Sequence, residues 1–369
     1  MIRFRAASAK DLITKAEEAP AGMESVDLYR RAGVMADRQG DLDSAYAARR
    51  ELVNAAYYAE ARLDQLFAFV YCLALAEKHP SRFSAEDLMW QYKWIVEAMI
   101  DFTPVPLILV DRLLEDMSER YRRHSLGTAA IDQLRLGLCV KTGQTDRLRD
   151  AYETWDRNTD RAGSDCNACQ QHDRVRFRIA AGEDERALEE AEPLLSGKMR
   201  CADVPHATFG LLQLPLLRLG RHRQAAELFL RGYDMIKSRQ GFVRTVGEYL
   251  VFLAVAGDAD RGLALVQMHL KEGLRSHSDL VRITLARGAW AVCERARLDG
   301  QTVVSLSLPP RFAGYQRDSV YDLAELGRHF RQDLDDRSAA FDRRNGNRVQ
   351  REATGEVEEM LGRGLHIPL

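Results

Sequence analysis

The stretch YRRAGVMADRQGDLDSA, residues 29–45, decides how this chain folds. A large side chain at Tyr29 is followed by small residues beginning at Ala32, then by a Gly-Asp pair at Gly40 and a small residue at Ala45. Apolar and small residues recur here every three or four positions, which is the period of one helix face. Glycine lets a helix end in a left-handed turn. The stretch therefore predicts two closely packed helices joined by a tight turn.

The same turn recurs along the chain as a glycine, polar residues and usually a small residue five positions after the glycine. It starts at Gly40, Gly143, Gly182, Gly220 and Gly257. The last four glycines are 39, 38 and 37 residues apart. A nearly fixed period in this range is typical of helical solenoids. Because strand-like alternation is almost absent, we predict an all-α array of helical hairpins over residues 1–300.

This spacing of large, small and turn positions resembles the tetratricopeptide repeat. The first unit, residues 29–45, matches best, whereas later units keep the turn and lose other consensus positions. The resemblance covers residues 24–300 and implies a right-handed solenoid of helical hairpins. It also implies a concave groove, lined by the first helix of each repeat, that receives a peptide or a protein segment.

Two further regions complete the predicted architecture. Residues 84–123 fit a degenerate hairpin, in which Ser84 caps the first helix and Pro104 and Pro106 separate it from the second. Residues 301–369 begin with a loop and a short strand, and continue with helices over 319–343 and 349–362. Such terminal helices are expected to cap the open end of a solenoid.

Composition excludes some classes of protein. The chain has 369 residues, 46% hydrophobic and 29% charged, and a net charge of -2, which argues against a general nucleic-acid binder. Arg outnumbers Lys by 45 to 8, a skew that we attribute to a GC-rich genome. Residues 1–20 lack the apolar segment of a signal peptide, and no apolar run approaches the ~20 residues of a membrane helix. We therefore expect a cytoplasmic protein with reduced thiols; its oligomeric state is left open.

Two short motifs together predict a metal site. SDCNACQQH, residues 164–172, places Cys166 and Cys169 at the start of one repeat, with Ser164 or Asp165 as the expected helix cap. RCADVPH, residues 200–206, places a third cysteine and a histidine at nearly the same position of the next repeat, and adjacent helices lie roughly 8–10 Å apart. Three sulfurs and an imidazole suit a structural zinc ion. The predicted ligands are Cys166, Cys169, Cys201 and His206, with His172 as the fallback for the fourth.

The cysteines also allow other interpretations. Cys166 and Cys169 form a C-x-x-C pair that could serve redox chemistry, although the strands of a thioredoxin-type context are missing. The cluster could also be unligated. Cys72, Cys139 and Cys293 lie in apolar helical patterns and are expected in the core. The sequence holds no G-x-S-x-G, no phosphate-binding glycine loop and no H-E-x-x-H, so we expect no enzyme.

Two sets of polar residues are candidates for binding. The tetratricopeptide resemblance implies that the first helices present a groove suited to an acidic peptide or a carboxylate. The groove positions that it implies are Arg30, Gln133, Arg176 and Arg244. Alternatively, these are solvated surface side chains. A second polar cluster, in FDRRNGN at 341–347, would contact an acidic group or a neighbouring repeat through Arg343, Arg344 and Asn345. Its alternative is an ordinary helix end at Gly346.

These features favour a non-enzymatic scaffold that binds a protein or a peptide and is stiffened by a zinc clip. A second hypothesis is a ligand-responsive regulator that acts through a partner protein, similar to the peptide-sensing tetratricopeptide regulators of bacteria. A third is a thiol redox protein that uses Cys166 and Cys169.

Overall fold

The computed structural model describes residues 8–20 and 22–369. Residues 1–7, part of the segment in which no signal peptide is expected, lie outside the described residues. The helices are α1 Ala9–Glu18, α2 Met23–Gln39, α3 Leu42–Tyr58, α4 Arg62–Lys78, α5 Met89–Ile100, α6 Leu107–Arg123, α7 Ala129–Thr142, α8 Thr145–Arg157, α9 Asn167–Ala180, α10 Asp184–Leu195, α11 His206–Leu211, α12 Gln213–Arg218, α13 His222–Ile236, α14 Val243–Ala256, α15 Ala259–Gly273, α16 Asp279–Leu298, α17 Leu323–Asn345 and α18 Val349–Gly362. A 3-10 turn, Glu86–Leu88, precedes α5, and the strands are β1 Val303–Ser305 and β2 Val320–Asp322.

The fold is all-α, as predicted, and consecutive helices pack against each other along the chain. This consecutive packing is compatible with a solenoid of hairpins. The five turn glycines all adopt positive φ angles, between 66° and 85°. Each ends a first helix, and the second helix of the hairpin begins within three residues. The left-handed turn predicted at Gly40 thus recurs through the array.

The two less regular regions also fold as hairpins. The Ser84 hydroxyl accepts a hydrogen bond from the Asp87 N–H at the start of the 3-10 turn, and Pro106 directly precedes α6. After Gly300, β1 and β2 form a small antiparallel ribbon, with Val304 opposite Tyr321. Helix α18 covers the predicted range, whereas α17 begins at Leu323, later than the predicted 319, because residues 320–322 pair with β1. Helix α17 packs along α16.

The apolar core is divided between the two halves of the array. One buried cluster extends from α1 to α7, and a larger one extends from α9 to the C-terminal segment. Within the larger cluster, α14 and α16 approach most closely at Gly247 and Gly288. A Cβ at Gly288 would lie 2.6 Å from the Gly247 carbonyl oxygen, so this crossing admits no side chain.

Contacts between distant segments partly enclose the inner face of the array. The loop after α5 meets the start of α16, where the Asp279 N–H donates to the Asp101 carbonyl at 2.9 Å and the Asp279 carboxylate accepts from the Thr103 N–H at 2.8 Å. The end of α17 also returns to α5 and α7. The predicted open groove is therefore an inner pocket. Among the described residues, no helix combines the length and the apolar character needed to cross a membrane.

Candidate metal site and inner pocket

Three cysteines converge at the N-terminus of α9. Cys166 is the N-cap of that helix, Cys169 lies in its first turn, and Cys201 lies in the segment between α10 and α11. The three Sγ atoms lie within 4.8 Å of one another, and those of Cys169 and Cys201 are 3.5 Å apart. A turn positions the third cysteine, because the Cys201 N–H donates to the Val204 carbonyl at 2.8 Å. The repeat register thus brings both motifs together, with Cys166 in the capping place expected for Ser164 or Asp165.

Neither histidine proposed as the fourth ligand belongs to this group of sulfurs. His206 begins α11, where its Nε2 lies 2.8 Å from the Arg239 guanidinium and its ring stacks on Phe242 at 5.5 Å. The Nδ1 of His172 lies 2.8 Å from the Thr208 hydroxyl on α11. One nitrogen of each imidazole therefore has another partner, while the Nδ1 of His206 is buried without a hydrogen bond among the described residues. The four-ligand arrangement expected from the sequence is present only in its three sulfurs.

The sulfur geometry fits a single thiophilic ion. A Zn–S bond of ~2.3 Å in a tetrahedral site places neighbouring sulfurs roughly 3.8 Å apart. The observed separations, 3.5 Å for one pair and no more than 4.8 Å for any, bracket that value. Three thiols are also a soft donor set of the kind that selects zinc and copper(I) over magnesium or calcium.

The electrostatics of α9 prepare one of these thiols for ligation. Burial of Cys166 works against ionisation, but the backbone N–H of Cys169, the thiols of Cys169 and Cys201 and the N–H of Ala168 together lower the pKa of Cys166. The pKa of Cys169 is raised by burial and by the two neighbouring sulfurs. Only an added positive charge would stabilise several thiolates at once in this space.

The remaining cysteines are buried, as predicted. Cys72, Cys139 and Cys293 lie in the core, and burial raises the pKa of each thiol. They are therefore poor nucleophiles and poor ligands in the folded chain. This contrast leaves the three clustered thiols as the accessible ones.

The metal site borders an inner pocket of about 420 Å³, which lies within the range of ~300–1,000 Å³ typical of small-ligand sites. Residues from α3, α5, α7, α9, α11, α14 and the segment before α11 line it. Its charged residues are Glu60, Arg62, Glu97, Asp101, Lys141, Arg176, Asp203, Arg239, Arg244 and Glu248. A smaller cavity on the α7 side shares Glu97, Lys141 and Arg176 with this pocket.

The structure separates the four groove residues implied by the resemblance. Arg176 and Arg244 line the inner pocket, and Gln133 lines the adjoining cavity, where its amide donates to the carboxylates of Asp165 and Asp173. Arg30 lies in another cleft and binds Asp64 through two hydrogen bonds of 2.8 and 3.0 Å. Arg30 is outside the inner pocket because its cleft is formed with residues of α16 and α17 instead of α9 and α14.

One side of the pocket is basic. Arg176 on α9 pairs with Asp173 at 3.1 Å, but its Nη2 is buried without a hydrogen-bond partner among the described residues. Arg244 on α14 has only a loose ion pair with Glu248, at 3.7 Å. Burial lowers the pKa of His172 to about 3, helped by both arginines. His172 is therefore neutral near neutral pH, and the positive charge belongs to the two guanidinium groups.

Two glutamates line the pocket that were not predicted from the sequence, Glu97 and Glu248. Burial raises the pKa of Glu248 to about 7, against the opposing effect of Arg244 and Arg176. Burial also raises the pKa of Glu97, which is opposed by Lys141 and reinforced by Asp165, Asp173 and Asp101. Isolated glutamates within helices usually indicate a solvated face, so no signal in the sequence distinguished these two.

Aromatic rings line the pocket beside Glu97. Tyr57 from α3 and Trp94 from α5 stack with their ring centroids 4.4 Å apart. Burial raises the pKa of Tyr57, and the negative charge of Glu97 raises it further. The stacked pair and the carboxylate therefore share one region of the pocket wall.

The FDRRNGN segment ends α17 and holds it against the inner helices. Gly346 has a φ of 71°, as the helix-end interpretation predicts. The Arg344 guanidinium donates to the carbonyl oxygens of Ile100 at 2.8 Å and Phe102 at 3.2 Å, and its Nε donates to Asn345 Oδ1. Arg343 makes none of these contacts. The expected contact with a neighbouring repeat is therefore made by Arg344, which caps carbonyl oxygens at and just after the C-terminus of α5.

No protein-family model matches this chain, and no curated protein matches it. Membership of the tetratricopeptide family therefore stays a prediction.

Proposed function

We propose that this chain is a non-enzymatic interaction protein that binds a peptide segment in its inner pocket, beside a structural zinc clip. One observation carries the proposal. The segment before α11 supplies Cys201 to the thiol cluster, while Ala202 and Asp203 from the same segment line the pocket. Fixing that segment also fixes one wall of the pocket.

The lining of the pocket suits a peptide. Arg176 and Arg244 offer guanidinium donors to carboxylates, and Glu97 and Glu248 offer acceptors to amides or amines. Apolar surface from Leu211, Phe242 and Val281 lies between them. The pocket thus offers both charged partners and apolar surface to a ligand that carries both kinds of group.

Cys166, Cys169 and Cys201 would hold the ion. Zinc bound there would link the first turn of α9 to the segment before α11 and fix the angle between two hairpins. Three protein sulfurs leave the fourth position of a tetrahedral ion to an external donor. We assign a structural role because the three thiols come from two separate segments that the ion would hold together.

Affinity capture of partners from the native host tests the interaction. The bait is the intact metal-loaded chain, compared with the Arg176→Glu and Arg244→Glu variants. Arg223→Glu serves as the matched control, because Arg223 lies on α13 with its side chain 94% exposed. We expect the two pocket variants to lose a partner that the wild type and the control retain. Equal capture by all four baits would contradict the proposal.

A thiol redox function is a second candidate, because the Cys169 and Cys201 sulfurs are only 3.5 Å apart. This pair spans two repeats, whereas the C-x-x-C motif lies within one. Metal analysis with thiol counting separates the two functions. About one zinc per chain, with the three cluster thiols unreactive until chelation, supports the clip. Reversible loss of two thiols without metal supports the redox function.

A further inference from the structure

We infer that the inner pocket selects a zwitterionic ligand, a short free peptide whose protonated amine lies at Glu97 and whose carboxylate lies at Arg176 and Arg244. This inference rests on the proposed function and narrows it. A segment inside a longer protein chain has neither terminal charge, so the inference distinguishes a small peptide from a protein partner.

The Glu97 carboxylate at the acidic end of the pocket has no cation bound to it directly. Glu97 makes no hydrogen bond or ion pair with the described residues. Around it, Asp165 is bound by Lys93 at 2.6 Å, Asp101 by Lys141 at 3.2 Å and Asp173 by Arg176 at 3.1 Å. Lys93, Lys141 and Arg176 are therefore each matched to another carboxylate. Arg62, which also lines the pocket, donates to Gln65 and not to Glu97. Glu97 is thus an acid without a direct ion pair among the described residues.

The aromatic pair strengthens the case for an amine at this end. A protonated amine is attracted to the faces of tyrosine and tryptophan rings as well as to a carboxylate. Trp94 and Glu97 both line the smaller cavity, and Tyr57 and Glu97 both line the larger pocket. Because the two rings stack face to face, at most one face of each is left for an ammonium group beside the Glu97 carboxylate.

At the basic end of the pocket, guanidinium donors lack acceptors. Arg176 has a buried Nη2 without a partner among the described residues, and Arg244 reaches only one carboxylate, at 3.7 Å. Guanidinium groups bind carboxylates through paired hydrogen bonds, and a buried donor left unpaired is costly. Glu248 is the acid beside these two arginines. A ligand carboxylate would satisfy the donors that Glu248 leaves free.

Glu97 and Arg244 lie on different walls of one pocket, while Arg176 lines both this pocket and the smaller cavity that it shares with Glu97. Glu97 comes from α5, and Arg244 comes from α14, with apolar side chains such as Leu211 and Val281 in the same lining. A ligand that reaches both ends must carry its charges on opposite termini and an apolar or neutral portion between them. A short free peptide has this arrangement.

Binding of trialanine and its blocked forms, measured by calorimetry on the intact metal-loaded protein near neutral pH, tests the inference. The probes are free trialanine, N-acetyl-trialanine, trialanine amide and the doubly blocked peptide. We expect the free peptide to bind best and each single block to weaken binding by about tenfold, the effect of losing one charged hydrogen-bonded pair.

Variants assign each terminus to its partner. Glu97→Gln should weaken binding of trialanine by about tenfold and abolish the penalty for acetylating the amine, while the penalty for amidating the carboxylate stays. Arg244→Gln should do the reverse. Glu359→Gln and Arg223→Gln, both on exposed side chains, should leave all four affinities unchanged.

The outcomes distinguish this inference from the proposed function. If the doubly blocked peptide binds as tightly as the free one, the inference is overturned while peptide binding stands. If none of the four probes binds, the inference is also overturned, and capture of a protein partner alone decides the proposed function. If Glu97→Gln or Arg244→Gln leaves the penalties for blocking the peptide amine and carboxylate unchanged, the peptide termini lie elsewhere and the inference is overturned.

Discussion

Titrating free zinc against thermal unfolding tests the three-thiol site directly. The site joins α9 to the segment before α11, so it is complete only in the folded chain. Each tenfold rise in free zinc above the dissociation constant should then add about 1.4 kcal/mol to the free energy of unfolding. The unfolding entropy of 369 residues, at ~2.1 cal/mol/K per residue, converts this into about 1.8 °C per tenfold change in zinc. At a hundred times the dissociation constant, the melting temperature should rise by roughly 3.5 °C.

The assay is circular dichroism or calorimetric melting in metal buffers that fix free zinc. Cys169→Ser should abolish the slope of melting temperature against zinc. Cys139→Ser, in the core, should lower the melting temperature and keep the slope. The slope therefore separates ligation from packing, which both affect stability.

A third variant examines the fourth ligand. His206→Asn should preserve the slope, because the His206 imidazole is directed to Arg239 and Phe242. A slope lost in His206→Asn would show that His206 reaches the ion and would refute the three-sulfur site. A flat response in the wild type would refute the metal clip altogether.

Three further predictions follow from burial, charge and packing. A thiol reagent applied to the folded, metal-free protein should label Cys166 fastest, because this thiol is exposed and its pKa is lowered, and should label the three core cysteines only after unfolding. Zinc should protect Cys166, and labelling of Cys166 no faster than that of the core cysteines would contradict the assignment. The pKa of Glu248 is about 7 in the folded chain, compared with an ordinary 4.5. The free energy of unfolding should therefore keep the full contribution of Glu248 below pH 4.5 and lose about 3 kcal/mol as the pH rises through 7. Denaturant unfolding should show this fall in the wild type and not in Glu248→Gln. Gly288→Ala should cost about 2 kcal/mol or more, since its Cβ would meet the Gly247 carbonyl at 2.6 Å, whereas Gly355→Ala, with open space around it, should cost nothing measurable.

Local signals made much of the fold predictable. A glycine at a helix end acts through its own backbone, so the turns at Gly40, Gly143 and Gly257 could be placed from sequence alone. Their period then aligned Cys169 with the segment that holds Cys201. The convergence of the sulfurs is a consequence of that register, and the structure reproduces it.

The rest depended on side-chain direction and on distant contacts. His206 begins the helix expected for it, but Arg239 and Phe242, more than thirty residues later, decide where its ring lies. The pocket exists because Asp279 and Arg344 hold the α5 end against the last helices. Glu97 became distinctive only through that enclosure, and no local pattern encodes it.

The metal clip should matter more for stability than for affinity in the pocket. The segment before α11 has a second attachment, because Arg239 on the far side donates to the Ala202 carbonyl at 2.8 Å and contacts His206. Hydrogen bonds to a charged group contribute ~1.5–3 kcal/mol each, which is comparable to the metal linkage at moderate zinc concentration. When the metal is removed, these bonds still hold the segment near its place in most molecules. The fraction of molecules whose pocket can bind ligand should therefore fall severalfold at most, and the apparent affinity should fall by the same factor. Loss of both the zinc clip and the Arg239 hydrogen bonds should free the segment before α11, because these two contacts hold the same wall of the pocket.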